Sequence, residues 1–213
     1  MMTIDVRGLI VPDDYADLFR SVGIAVTAPK DIVLPVTGED VAVQINSPGG
    51  VVMAGAEIYS KIKNYSGRTT VEIQSMAASA ASMIAMAGKT IRMSPTAAMM
   101  IHNVSTSADG DYREMEHQAD VLKTLNVTIA NAYRLRTGMS EADILAMMDA
   151  ESWISPQRAV QLGLADEIIG DAESMLTQAD DKDQPKPETD VADSARRKAR
   201  AKLNLLRVIG ARE

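Results

Sequence analysis

The stretch Ser75-Met76-Ala77-Ala78-Ser79-Ala80-Ala81-Ser82-Met83-Ile84-Ala85-Met86-Ala87-Gly88 decides how the rest of the chain is read. It follows a strand-like run, Thr70-Val71-Glu72-Ile73-Gln74, and consists almost wholly of small or unbranched residues suited to a buried, closely packed helix. Together the two predict a strand-to-helix junction with a serine on it. A hydroxyl there can simply cap the helix. It also stands where unpaired backbone N–H groups can hold a developing oxyanion. The stretch alone leaves both readings open.

Toward the N-terminus, Val41-Ala42-Val43-Gln44-Ile45 reads as a buried strand ending at Asn46-Ser47-Pro48-Gly49-Gly50, where two glycines allow a tight turn and close backbone approach. A helix is expected over 51–65, because Val51, Ala54, Ile58 and Ile62 fall at helical spacing and Ser66-Gly67 stops the run. The resulting β-α-β-α alternation argues for an α/β fold with a mostly parallel sheet. Further upstream, a strand is expected around 4–10, then a polar turn at Pro12-Asp13-Asp14. Residues 15–36 predict only short elements.

Toward the C-terminus, Thr90-Ile91-Arg92-Met93 and Ala97-Ala98-Met99-Met100-Ile101 read as strands, and the second delivers His102 at its carboxyl end. A polar loop over 103–110 leads into a long helix over 111–136, whose apolar residues Met115, Ala119, Leu122, Leu125, Ile129 and Ala132 recur at steps of three and four. Gly138 ends it, Ser140 and Ser155-Pro156 start two more helices, and 166–169 is expected to close the fold as a strand. Residues 1–170 therefore form one domain. Over 171–194 the composition becomes acidic and too poor in apolar surface to offset chain ordering, which predicts a disordered linker. Residues 195–213 read as a basic helix or tail with an apolar end, either solvated or docking a partner.

Bulk properties narrow the function classes. The chain has 213 residues, 46% of them hydrophobic, with one Phe, one Trp and fourteen Met, so the core is aliphatic. A net charge of −7 gives no electrostatic footprint for nucleic acid. Without cysteine there is no disulfide, thiol nucleophile or thiolate metal site. No apolar run reaches membrane-spanning length, no leader-like N-terminal pattern is present, and a cytoplasmic location is expected. No His-Glu-x-x-His motif or dense His/Asp cluster suggests a metal, and no cofactor is expected.

Two histidines are available as a base. His117 sits in the long helix among Glu114, Glu116 and Asp120 and reads as a solvated surface residue. His102, at the end of an apolar strand beside a polar loop, has the position from which functional side chains project in parallel sheets. Ser79, His102 and the glycine pair gain meaning together, since acyl transfer needs a nucleophile, a base and oxyanion donors from separate elements. Ser82, one helical turn beyond Ser79, is the rival nucleophile, but its hydroxyl is expected to bond a preceding carbonyl.

The ordered segments Ile45-Asn46-Ser47-Pro48-Gly49-Gly50, Ala77-Ala78-Ser79, Met100-Ile101-His102 and Ala159-Val160-Gln161-Leu162-Gly163-Leu164-Ala165-Asp166 resemble the ClpP family of serine peptidases, over about 41–169. The Ala-Ala-Ser-Ala-Ala-Ser version of the serine motif is similar to that of the ClpP-related head maturation proteases of tailed phages. The resemblance implies a ClpP/crotonase-like fold of repeated β-β-α units with a long protruding helix. It places the nucleophile at Ser79, the base at His102 and the oxyanion donors at the backbone N–H groups of Gly50 and Ala80. An ungapped match puts the third triad member at Glu151, with Asp149 as the alternative. It further implies peptide bound as an added strand, a homo-oligomeric ring, and phage scaffold, capsid or portal proteins as substrates of an ATP-independent or partner-assisted endopeptidase. Ser75-Met76 departs from the Gly-Gln usual there, and the poorly matched N-terminal region leaves an unfoldase ATPase partner open. Two other classes stand beside this reading: a crotonase-type acyl-CoA enzyme, and a non-catalytic ring or scaffold-binding subunit.

Overall fold

The computed structural model describes residues 1–170, so the expected linker at 171–194 and basic segment at 195–213 lie outside the described residues. In chain order the elements are β1 (Met2–Ile10), α1 (Asp13–Ser21), β2 (Val26–Thr27), a 3₁₀ turn (Pro29–Asp31), β3 (Val41–Gly50), α2 (Val52–Lys63), β4 (Thr69–Ala78) and α3 (Ala80–Ala85). There follow β5 (Thr90–Met93), β6 (Ala98–Ile101), α4 (Tyr112–Thr137), α5 (Glu141–Asp149), β7 (Ser152–Ile154), α6 (Pro156–Gln161) and β8 (Glu167–Ile168). This is the α/β architecture with a mainly parallel sheet that the alternation predicts.

The sheet runs β2-β1-β3-β4-β5-β8, with β6 pairing β4 and β7. Every pairing is parallel except β6 with β7. On β4, Thr69, Val71 and Ile73 are buried while Thr70, Glu72 and Gln74 are partly exposed, the period-two pattern of a strand with one face covered. Val71 and Ile73 share a single apolar cluster with Ile58 and Ile62 of α2 and Ile84 of α3.

β4 is the strand that builds the site. Its first half pairs with β5 (Thr70↔Thr90 to Ile73↔Met93) and its second half with β6 (Met76↔Ala98 to Ala78↔Met100). Between Ile45↔Ile73 and Ser47↔Ala77, β4 advances four residues while β3 advances two. Such a bulge bends and re-aims a strand. Here it turns the end of β4 from one neighbour to the next.

Three expectations need correction. Ser75-Met76-Ala77-Ala78 belongs to β4, so the helix begins only at Ala80; small residues permit burial in either conformation, and pairing with β6 decides for the strand. Asn46 to Gly50 is strand as well, because β1 pairs with it as far as Ile10↔Gly50. At Pro12-Asp13-Asp14 the chain enters α1, with Pro12 as the N-cap, acidic residues in the first turn and Ala16 and Phe19 buried. The short antiparallel β7 went unread, its three residues being too few for a periodic signal.

Candidate active site

Ser79 sits between β4 and α3, at the N-cap of the helix, with φ 57° and ψ −125°. A non-glycine residue in so sparsely populated a region costs on the order of 1–3 kcal/mol and persists only where its surroundings over-determine it. Those surroundings are visible. Its N–H donates to the Met100 carbonyl of β6 at 2.8 Å, and its own carbonyl accepts from the N–H groups of Ser82 (3.0 Å) and Met83 (3.3 Å) in α3.

The same β6 pairing sets the distance to His102. Ala78 is opposite Met100, so Ser79 leaves β4 beside the point where His102 leaves β6. Ser79 Oγ lies 2.7 Å from His102 Nε2. With the imidazole proton on Nδ1, Nε2 accepts from the hydroxyl, which is the arrangement a general base needs. His117, by contrast, is exposed on α4, and Ser82 Oγ donates to the Ser79 carbonyl at 2.7 Å, as its spacing predicts.

The glycine pair approaches this turn closely. Gly49 has φ 90°, and a Cβ there would come within 2.6 Å of the Ala78 carbonyl oxygen, 2.7 Å of Ser79 Cβ and 3.0 Å of the Ala80 nitrogen. Only glycine lets β3 lie this near the serine. Ser47 fixes the approach from below, its buried hydroxyl donating to the Gly8 carbonyl at 2.7 Å and accepting from the Gly49 N–H at 3.0 Å. Gly50 is one residue farther on, its Cα packed on the backbone of Ile10. Ala80 opens α3, so its N–H precedes the first intrahelical acceptor.

The two candidate acids are placed differently. Asp149, the last residue of α5, accepts a hydrogen bond from the Asn103 side-chain amide at 2.7 Å. Glu151, with φ 49°, is exposed just before β7. The antiparallel ladder of β6 and β7 ends at Ile101↔Ser152, and one step beyond that pair come His102 and Glu151.

A small pocket, partly open to solvent, adjoins Ser79 and His102. Its walls are mainly apolar, with Val52, Met83, Val104, Ile129 and Tyr133 among them. The loop after His102 is tied to α4 where the Val104 N–H donates to Asn126 Oδ1 at 2.8 Å. Sequence reasoning missed Asn103, Met83 and Tyr133. The one available signal was helical spacing, which stacks Tyr133 one turn beyond Ile129 on the buried face of α4. No cluster of His, Asp and Glu among the described residues could hold a metal ion, and no helix there is long and apolar enough to cross a membrane.

Residues 34–172 match the sequence model of Clp protease. The chain belongs to the Clp protease family. Among curated relatives it is 32% identical over 133 residues to the ATP-dependent Clp protease proteolytic subunit of Deinococcus radiodurans, covering 62% of this chain and 65% of that protein. It is 31% identical over 134 residues to the protein of the same name from Bacteroides fragilis, covering 62% and 65%. The chain thus spans slightly under two thirds of the length of these Clp relatives. The matched region contains β3 to β8 and every residue of the Ser79–His102 site.

Proposed function

We propose that this chain is a serine endopeptidase in which Ser79 attacks the scissile carbonyl and His102 takes its proton and returns it to the leaving amine. The observation that carries this reading is the 2.7 Å contact between Ser79 Oγ and His102 Nε2 on a strained strand-to-helix turn. The Ala80 and Gly50 N–H groups are assigned to the oxyanion, and Glu151 to orienting the imidazole. Its place one step past the Ile101↔Ser152 pair, as His102 is on the other strand, supports Glu151, while one Asp149 oxygen is held by Asn103. The apolar pocket suits an apolar side chain on the acyl side of the cleaved bond. A crotonase-type reaction has no use for the serine–histidine pair.

The substrates we assign are polypeptides, and more narrowly the scaffold, capsid or portal proteins of a tailed phage, on the strength of Ala77-Ala78-Ser79-Ala80-Ala81-Ser82. A homo-oligomeric ring is assigned by likeness to the family. The uncovered apolar residues Met115, Val121 and Val127 on α4 favour it.

Intact-mass spectrometry after exposure to a fluorophosphonate probe tests the chemistry. Wild type should carry one adduct and Ser79→Ala none, with peptide hydrolysis falling to background. Unchanged cleavage by Ser79→Ala would overturn the mechanism. Glu151→Gln should lower kcat by about 10²-fold or more, and Asp149→Asn far less; the reverse order would move the third role to Asp149.

A further inference from the structure

Tyr133 is 2% exposed and Ser82 0% exposed, yet each carries a hydroxyl. Their oxygens are 2.8 Å apart, and Ser82 Oγ is also 2.7 Å from the Ser79 carbonyl oxygen. A carbonyl can only accept. Ser82 therefore gives its single proton to Ser79 O, and Tyr133 must be the donor to Ser82. Burial pushes the Tyr133 phenol up to about 12, so it stays a donor throughout the working range of any peptidase. The result is a one-way chain from α4 through α3 to the nucleophile: Tyr133 O–H to Ser82 Oγ–H to the Ser79 carbonyl.

That carbonyl belongs to the same peptide unit as the Ala80 N–H. The unit is planar and trans, so C=O and N–H point in opposite directions and turn together. Three donors converge on Ser79 O: the Ser82 and Met83 N–H groups and the Ser82 hydroxyl. Holding the oxygen on one side aims the Ala80 N–H on the other. A preorganised oxyanion donor needs just such an aim, because a donor that swings loses most of its effect in the transition state.

We propose that Ser82 and Tyr133 are positioning residues that orient the Ser79–Ala80 peptide and thereby the oxyanion donor, with neither of them touching the scissile bond. This rests on the reading of Ser79 as nucleophile. Tyr133 is also among the residues that line the pocket beside Ser79, so the residue whose hydroxyl steadies the turn also borders the pocket.

Tyr133→Phe keeps the ring and removes one oxygen; Ser82→Ala cuts the same chain from the α3 end, and serves alone should the first variant prove too unstable to purify. Rates are taken per folded molecule, with Ser79→Ala as the unlabelled control. Each variant should lose about tenfold in kcat for a fluorogenic peptide and in the fluorophosphonate labelling rate. KM should stay within about twofold, since a donor used in the transition state is not part of ground-state binding. The double variant should be no slower than the slower single one, as expected for links of one chain. A labelling rate and kcat equal to wild type, whatever happens to Tm, would overturn the relay and leave Ser79 in its role. Absence of labelling on folded wild type would overturn the reading of Ser79, and the relay with it.

Discussion

α3 and the first two thirds of α4 solve the problem of being a helix in opposite ways. All six residues of α3 are buried, and no charged residue or side-chain cap marks its ends. Its existence depends on packing against the sheet and α2. From Tyr112 to Thr128, every residue of α4 is exposed or half-buried. It is held instead by local means: the Asp111 side chain accepts from the Arg113 and Glu114 N–H groups, Gly138 closes the far end with φ 74°, and a Lys123–Asp120 pair lies along the exposed face. Only its last third, with Ile129, Ala130, Ala132 and Tyr133, reaches the core. The contrast shows where precision is stored. The helix that follows Ser79 takes its geometry wholly from its neighbours, whereas the protruding helix carries its own.

The comparison predicts a gradient of effects. Gly49→Ala should be the most damaging, because its Cβ would meet the Ala78 oxygen and Ser79 Cβ at 2.6 and 2.7 Å on a backbone with φ 90°. Hydrolysis and labelling should fall by about 10²-fold or more, since misplacement of about an ångström has that effect on a positioned group. Wild-type rates in that variant would show that the turn is soft, against the account given of α3.

Next is a paired substitution. Ile84→Ala, at a fully buried α3 position, should cost about 2–5 kcal/mol in denaturant unfolding. Val121→Ala, 37% exposed on α4, should change monomer stability by less than about 0.5 kcal/mol. A larger Val121 effect that grows with protein concentration would show that a second copy covers this face.

The smallest effect is expected at the helix start. Hydrogen bonds from the Arg113 side chain and backbone hold the Asp111 carboxyl below its ordinary value of 3.8. A carboxylate with a depressed folded-state pKa stabilises above its unfolded value and loses that contribution as pH falls through the folded one. Asp111→Ala should therefore fray the first turn of α4, seen by amide exchange, near neutral pH, and differ progressively less from wild type below about pH 4. A Tm loss matching that of Ile84→Ala would break the division between locally held and packing-held helices.

Much of this was legible in the residues, unevenly. α2, α4 and α5 were readable because periodicity and caps are local: Ile58 and Ile62, Asp111 and Gly138, Ser140. The junction at Ser79 was legible as a place. Its extent was not, since Ala77 and Ala78 suit helix and strand equally and only β6 makes them strand. Asp13 to Ser21 was hidden by a proline and two aspartates that read as a turn but start a helix.

By itself the sequence determined the alternation of strands and helices, the candidate nucleophile and base, and the order of the segments that resemble a peptidase. These are properties of residue type and spacing along one chain. Tertiary structure alone decided that Ser79 and His102 meet at 2.7 Å, that Glu151 and His102 both lie one step past the Ile101↔Ser152 pair, and that Tyr133 reaches Ser82 from a helix fifty-one residues away. Such facts depend on strand pairing and on which hydroxyl finds which partner once water is excluded. Hydrogen bonds across that separation leave no periodicity in the sequence to read.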